Sequence, residues 1–131
     1  MGKPVILCVD DESIILDSLE VQLRNEYRDQ YLYETAENVE EAMEVIDELQ
    51  GDDIPLIVIV SDWLMPGTKG DEFLIEAHKV HPGVIKIMLT GQADKDAIDR
   101  AMKFAGLHRC IQKPWNKDDL IEAINSGLAK T

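Results

Sequence analysis

The 131-residue sequence is poor in basic residues, with 13 Lys and Arg against 26 Asp and Glu and a formal net charge of −13 at pH 7. A protein that binds nucleic acid through the phosphate backbone needs a positive surface. Aromatic residues are also few, and neither Trp63 nor Trp115 lies in a basic patch that would favour base stacking. The composition therefore argues against nucleic-acid binding by this domain.

Long hydrophobic runs and cysteines are scarce too. No run approaches the roughly 18 apolar residues that a membrane span needs, and the opening stretch MGKPVILCVDDES turns acidic too soon for a signal peptide. The two cysteines, Cys8 and Cys110, lie in separate apolar runs, so we interpret both as buried, reduced thiols. These features predict a cytoplasmic protein that makes no membrane contact.

Short apolar runs alternate with amphipathic helical patterns along the whole chain. The runs predict strands at 5–9, 31–36, 56–60, 84–90 and 107–112. Helical patterns follow at 12–27, 39–51, 94–104 and 117–128, and a fifth contains Phe73 and ends before His81. This alternation predicts a single α/β domain over residues 1–131, with a five-stranded parallel sheet, right-handed crossovers and helices on both faces.

Four of the predicted strands end in polar residues of a definite type, at or just after the last strand residue: Asp10 and Asp11, Asp62, Thr90, and Lys113. The carboxyl ends of parallel strands share one edge of the sheet, so these side chains are expected to converge there. Three carboxylates repel one another, and a hard divalent cation such as Mg²⁺ would remove the repulsion. A lysine ammonium and a threonine hydroxyl beside them suit the oxygens of a phosphoryl group.

Each of these residues also has a simpler interpretation. An Asp-Asp pair is more often a helix cap, a Thr before Gly usually ends a strand, and a Lys before Pro is usually solvated. The functional interpretation depends on all of them occurring together, in this order and each at the end of a strand.

Four motifs carry a resemblance to a known family. They are VDDE at 9–12, SDWLMPGTKGDEFL at 61–74, LTGQAD at 89–94 and KPW at 113–115. With them the chain resembles the receiver domains of two-component response regulators, from Val5 to about Leu128. The resemblance implies a doubly wound, flavodoxin-like sheet with the strand order 2-1-3-4-5.

The resemblance also implies a role for each candidate residue. Asp62 would be the phosphoacceptor, and Asp10 and Asp11 would hold Mg²⁺ together with the Asp62 carboxylate and the backbone carbonyl of Leu64. Lys113 would pair with the phosphoryl group. By the same resemblance, Thr90 would be the hydroxyl that moves toward the phosphoryl oxygen, and the Lys113-Pro114 peptide bond would be cis.

One position departs from the family pattern. Receivers often carry Tyr or Phe three residues before the lysine, as the rotating partner of the switch threonine, and this chain has Cys110 there. Rotation of an aromatic ring is therefore not expected. His108, predicted to share a side of the strand with Cys110, is an alternative partner, and a partly exposed edge histidine is the simpler interpretation.

Three functions remain to be compared. The leading one is a signalling domain that accepts a phosphoryl group from a histidine kinase or phosphotransfer protein and helps catalyse its own phosphorylation and dephosphorylation. A phosphatase of the haloacid-dehalogenase type would need an acid two residues after Asp62, where this chain has Leu64. An interaction domain with an inactive site is opposed by the complete set of acids, Thr90 and Lys113.

The output of such a domain lies outside its own site. The resemblance is greater to receivers fused to output domains than to stand-alone ones, and it implies a cyclic-di-GMP phosphodiesterase or a transcriptional activator as candidate outputs. The chain is then either the N-terminal part of a longer regulator, which we expect, or a stand-alone receiver. The strong negative charge disfavours close self-association, so a monomer or weak homodimer is expected.

Overall fold

The computed structural model describes residues 3–91 and 95–130, and within them five strands alternate with five α-helices. The strands are β1 (Val5–Val9), β2 (Leu32–Ala36), β3 (Leu56–Asp62), β4 (Ile85–Thr90) and β5 (Arg109–Gln112). The α-helices are α1 (Ser13–Tyr27), α2 (Val39–Gly51), α3 (Gly70–Val80), α4 (Lys95–Phe104) and α5 (Lys117–Ala129), and a short 3₁₀ helix spans Arg28–Gln30.

The sheet has the order β2-β1-β3-β4-β5, and every neighbouring pair is parallel. The predicted fold is confirmed. β3 extends two residues beyond its predicted end and includes Asp62, whereas β5 begins at Arg109, two residues later than predicted. The predicted first residue of the fourth helix, Asp94, lies outside the described residues.

Hydrophobic residues fill both faces of the sheet. In β1, Val5, Leu7 and Val9 contribute to a core beneath α2, α3 and α4, whereas Ile6 and Cys8 face α1 and α5. Strands β1 and β4 are buried at every position, so their apolar runs carry no alternating polar face. Three helices on one face and two on the other make the domain doubly wound.

The two cysteines differ in burial because they lie on different strands. Cys8 is on β1, inside the sheet, and burial raises the pKa of its thiol to about 12. Cys110 is on the edge strand β5 and is only half-buried, so the prediction that both thiols are buried is wrong for Cys110. Both are free thiols.

A buried lysine, which the sequence did not reveal, lies near the amino end of β4. Lys86 is 1% exposed, and its Nζ donates to the carbonyl oxygen of Val84 at 2.7 Å. Burial lowers the pKa of this amine to about 8. Lys86 is therefore a core residue at the end of the sheet opposite the predicted site.

The first residue of α3, Gly70, lies in close contact with the backbone at the end of β3. The backbone N–H of Gly70 donates to the carbonyl oxygen of Trp63 at 2.7 Å. A Cβ added at Gly70 would collide with the carbonyl oxygen of Asp62 and lie 2.8 Å from the Cα of Trp63. These atoms are backbone and cannot turn aside, so Gly70 fixes how closely the helix approaches Asp62.

We predict that Gly70→Ala destabilises the domain by about 1–3 kcal/mol, the usual cost of overpacking a filled site. Urea denaturation of the variant and the wild type measures this difference. Gly83→Ala is the control, because a Cβ at Gly83 meets nothing within 4 Å. Equal stability of the two alanine variants would contradict the close approach described here.

Candidate functional site

The predicted site residues lie at one edge of the sheet. β1 pairs with β3 so that Val9 lies beside Ser61, which places the next residues, Asp10 and Asp62, side by side. Thr90 ends the neighbouring strand β4 and is 6% exposed. The structure therefore brings to this edge the residues that the sequence pattern had placed at strand ends.

Three carboxylates form the centre of the site. Asp10, Asp11 and Asp62 each present one oxygen within 4.8 Å of the others. Asp10 is fully buried and Asp62 is 5% exposed, whereas Asp11 is exposed. Burial raises the pKa of Asp62, and repulsion from Asp10 and Asp11 adds to this shift, against the opposing effect of a hydrogen bond from Lys113.

Lys113 balances part of this negative charge. Its Nζ lies 2.9 Å from Oδ1 of Asp62 and 3.0 Å from Oδ2 of Asp10. Burial alone would lower the pKa of this ammonium, but the hydrogen bonds to Asp62 and Asp10 and the negative charges of these carboxylates together outweigh burial, and the pKa is raised. The Lys113-Pro114 peptide bond is cis, and the backbone N–H of Lys113 donates to the carbonyl oxygen of Thr90 at 2.8 Å.

The two oxygens of the Asp10 carboxylate make different contacts. Its Oδ1 accepts a hydrogen bond from the backbone N–H of Glu12 at 2.9 Å, at the entry to α1, while its Oδ2 pairs with Lys113. Glu12 is itself the N-cap of α1, so Asp10 holds the residue that enters the helix rather than capping its first turn.

The carboxylates open into a cleft of about 510 Å³. Asp11, Asp62, Lys113 and Leu64 line it, together with Glu12, Met65, Pro66 and Gly91. Carboxylate oxygens are the ligands that Mg²⁺ prefers, and the remaining positions of its octahedral shell need an open, wet cavity. The donor set and the cleft fit a divalent cation held by Asp10, Asp11 and Asp62.

Trp63, which follows Asp62, is a core residue rather than a surface for a partner. It is 8% exposed, and its indole Nε1 donates to Oδ1 of Asp71 at 2.9 Å. Sequence reasoning missed Asp71, a fully buried carboxylate in the first turn of α3. A signal was present, because Asp71 lies three residues before Leu74 and thus on the apolar stripe of its helix.

His108 does not share a face with Cys110. Its Nε2 lies 2.8 Å from Oγ of Ser126 on α5, whereas Cys110 packs with the core beneath α2, α3 and α4. The prediction of a shared side is wrong because β5 begins only at Arg109, so the alternation of a strand does not extend back to residue 108. His108 is consequently not a candidate partner for Thr90.

Comparison with known proteins identifies the family. The family model of the response regulator receiver domain matches residues 6–125. The chain is 32% identical over 126 residues to the hydrogenase transcriptional regulatory protein HoxA of Cupriavidus necator, covering 96% of this chain and 24% of HoxA. The chain belongs to the response regulator receiver domains.

Solved structures agree with this assignment. A CheY-like response regulator receiver domain protein from Methanospirillum hungatei shares 33% identity at a TM-score of 0.85, covering 98% of this chain and 96% of the other. The receiver domain of an HD domain-containing protein from Pseudomonas fluorescens shares 25% identity at a TM-score of 0.86, covering 98% and 97%. By contrast, the chain spans only 24% to 32% of the length of the first curated relatives it matches.

The raised pKa of Asp62 leads to a prediction for stability. Asp62→Asn should stabilise the metal-free domain at pH 7, because it removes one of three clustered charges while Lys113 keeps Asp10 as a partner. A carboxyl whose folded pKa is raised favours the fold only when protonated, so its ionisation costs stability as the pH rises through and above the ordinary value of 3.8. The gain from Asp62→Asn should therefore be present at neutral pH and vanish below pH 3.8.

Thermal unfolding of both proteins in chelator at several pH values measures this gain. Asp47→Asn, on the exposed side of α2, is the control for the loss of one negative charge far from the cluster. An Asp62→Asn protein less stable than the wild type at neutral pH would show that these acids do not repel one another.

Proposed function

We propose that Asp62 accepts a phosphoryl group from a histidine kinase or a phosphotransfer protein. The observation that carries the proposal is the contact of Lys113 with Asp62 at 2.9 Å, with oxygens of Asp10 and Asp11 within 4.8 Å of Asp62 at the edge of an open cleft. The Asp62 carboxylate thus has the ammonium of Lys113 beside it, and the open cleft gives a phosphoryl donor access to it.

The transfer itself is a displacement at phosphorus. An oxygen of the Asp62 carboxylate forms a bond to phosphorus as the bond to the donor nitrogen of the phosphohistidine breaks, and the imidazole leaves with the electron pair. The carboxylates of Asp10, Asp11 and Asp62, with the carbonyl of Leu64, would hold Mg²⁺, which when bound would supply positive charge for the phosphoryl oxygens.

Lys113 stabilises the product. Its ammonium already bridges Asp62 and Asp10, so it can turn from Asp62 to a phosphoryl oxygen while it stays paired with Asp10. The same group then holds the phosphoryl in place for attack by water. Self-catalysed phosphorylation and dephosphorylation are thus part of this proposal, and turnover of a separate substrate is not.

Thr90 is the proposed switch residue. It ends the strand next to Asp62, with Asp62 paired to Leu89, and it precedes Gly91, which lines the cleft. A phosphoryl group adds roughly −1.5 to −2 charge there, which attracts a hydroxyl donor. With the half-buried Cys110 in place of an aromatic, we propose a shift of the segment after Thr90 without rotation of a ring.

The proposed setting is a larger cytoplasmic regulator. The chain is one receiver domain and spans only a fraction of its curated relatives, which supports a fused output domain. HoxA is a hydrogenase transcriptional regulatory protein, which supports a transcriptional output for this chain, with an activator as the candidate. A cyclic-di-GMP phosphodiesterase stays a second candidate, and one solved neighbour comes from an HD domain-containing protein. Free thiols on Cys8 and Cys110 suit a reducing compartment.

The position of Asp62 predicts where the phosphoryl group is attached. With acetyl phosphate and Mg²⁺, intact mass should show one added phosphoryl group on the wild type and none on Asp62→Asn. Asp11→Asn should weaken Mg²⁺ binding by at least about tenfold, because it removes a charged ligand. Asp47→Asn is again the matched control and should behave as the wild type.

Unchanged uptake of phosphoryl mass by Asp62→Asn would contradict the proposal. A steady-state phosphatase assay separates it from an enzymatic function, since sustained release of phosphate from a small phosphomonoester would mean turnover. Absence of uptake by the wild type, with Mg²⁺ binding intact, would identify an inactive interaction domain.

Charge also predicts the oligomeric state. With a net charge of −13, the isolated domain should be a monomer or weak dimer at low salt, because like-charged copies repel. Added salt screens this repulsion, and a beryllofluoride phosphoryl mimic should tighten association further. Sedimentation velocity with and without the mimic, at two salt concentrations, measures both effects. A tight dimer that responds to neither would contradict the prediction.

None of the helices within residues 3–91 and 95–130 combines the length and the apolar content that crossing a bilayer requires.

A further inference from the structure

The indole of Trp63 is held by the carboxylate of Asp71. Trp63 follows the proposed phosphoacceptor directly and precedes Leu64, whose carbonyl is the proposed fourth metal ligand. The Nε1–H of Trp63 donates to Oδ1 of Asp71 at 2.9 Å, and both side chains are buried. The ammonium of Lys69 lies 5.1 Å from the centre of the indole ring and covers it.

The other oxygen of Asp71 belongs to a second contact. Arg100 on α4 donates to Oδ2 of Asp71 from Nε at 3.0 Å and from a terminal nitrogen at 2.7 Å. This fork-shaped contact fixes the orientation of a guanidinium as well as its distance. One carboxylate on α3 therefore joins the residue after Asp62 to the middle of α4.

The backbone of Trp63 is also fixed at both of its polar groups. Its N–H donates to the carbonyl oxygen of Leu89 at 3.0 Å, and its carbonyl accepts from Gly70 at 2.7 Å. The indole bond to Asp71 is the third point of attachment. With three points fixed, the residue that follows, Leu64, leaves β3 in a defined direction toward the cleft that it lines.

The burial of Asp71 makes its two contacts interdependent. Its side chain is 0% exposed, so water cannot replace a partner that is lost. The positive end of α3, where Asp71 lies in the first turn, stabilises the charge but does not orient the carboxylate. If Arg100 withdraws, the carboxylate must reorient toward other donors, and its bond to Trp63 changes with it.

We propose that Asp71 is a positioning residue of the phosphorylation site. Through Trp63 it holds the loop that carries Leu64, the proposed fourth metal ligand, and through Arg100 it makes the position of that loop depend on helix α4. The inference rests on the proposed function of Asp62. By reciprocity, a ligand that tightens the loop also stabilises the contact of α4 with α3, which gives this chain a connection from site to helix that needs no aromatic residue at position 110.

Mg²⁺ affinity of the folded protein is the test, measured by calorimetry at a temperature where circular dichroism shows each variant folded. Trp63→Phe keeps a ring and removes only the indole N–H. Arg100→Gln removes the bidentate contact of the guanidinium with Asp71, and Asp71→Ala removes the contacts of Asp71 with both Trp63 and Arg100. Each should weaken Mg²⁺ binding by about tenfold, the lower end of the effect of losing outer support for a metal site.

Charge alone makes the opposite prediction for one variant. Removing the cation of Arg100 would strengthen Mg²⁺ binding through long-range electrostatics, whereas removing the anion of Asp71 would weaken it. Loss of positioning weakens binding in both, and Trp63→Phe changes no charge. Arg109→Gln is the matched control, because Arg109 forms a comparable contact with Glu122 and Ser126 between β5 and α5. Its Mg²⁺ affinity should stay within about a factor of two of the wild type, since exposed charges are screened.

A double variant tests whether the contacts act in series. Trp63→Phe should have no further effect in the Asp71→Ala background, since both changes remove the same hydrogen bond. Full additivity, or an Arg100→Gln protein that binds Mg²⁺ as tightly as the wild type or more tightly, would overturn the inference. If Asp71→Ala does not fold, Trp63→Phe and Arg100→Gln still decide, because each must weaken binding by itself.

The wild type separates this inference from the proposed function. A wild type that binds no Mg²⁺ and takes no phosphoryl group on Asp62 contradicts the proposed function. A wild type that does both, with the three single variants unchanged in Mg²⁺ affinity, contradicts only the role of Asp71.

Discussion

The repulsion among Asp10, Asp11 and Asp62 is the constraint on which the rest of this structure depends. Folding places three carboxylates at one edge of a sheet, and two of them are buried. Lys113 offsets part of the cost, and the remaining charge makes the site receptive to a cation. The sheet must therefore hold these carboxylates together against their mutual repulsion. Its inner strands are suited to this because they are packed on both faces.

The parts of the molecule that follow from local pattern could be predicted from the sequence. The apolar runs and helical stripes determine the order of elements, and Asp10, Asp62, Thr90 and Lys113 were recognisable because each ends or follows a strand. The edge strand was less predictable, since β5 is short and its half-buried residues give a weak pattern. That weakness explains the errors at Cys110 and His108.

Contacts between distant elements could not be predicted in the same way. Asp71 and Arg100 are separated by 29 residues and meet only because α3 and α4 pack side by side on one face. Lys86 is hidden for a related reason: a lysine in a strand normally indicates a solvated side, and the carbonyls of Val84 and Pro82 that satisfy its ammonium are apparent only in the fold. In both cases the charged residue interrupts an apolar pattern, which is the one sign that the sequence does carry.

The burial of Lys86 has a consequence for chemical labelling. While Lys86 is buried, its amine has a pKa of about 8 and is uncharged more often near neutral pH than the amine of an ordinary lysine. Its side chain is nevertheless 1% exposed, so a reagent reaches it only when the amino end of β4 opens. The rate of acylation at Lys86, compared with the rate at surface lysines, thus measures how often the amino end of β4 opens.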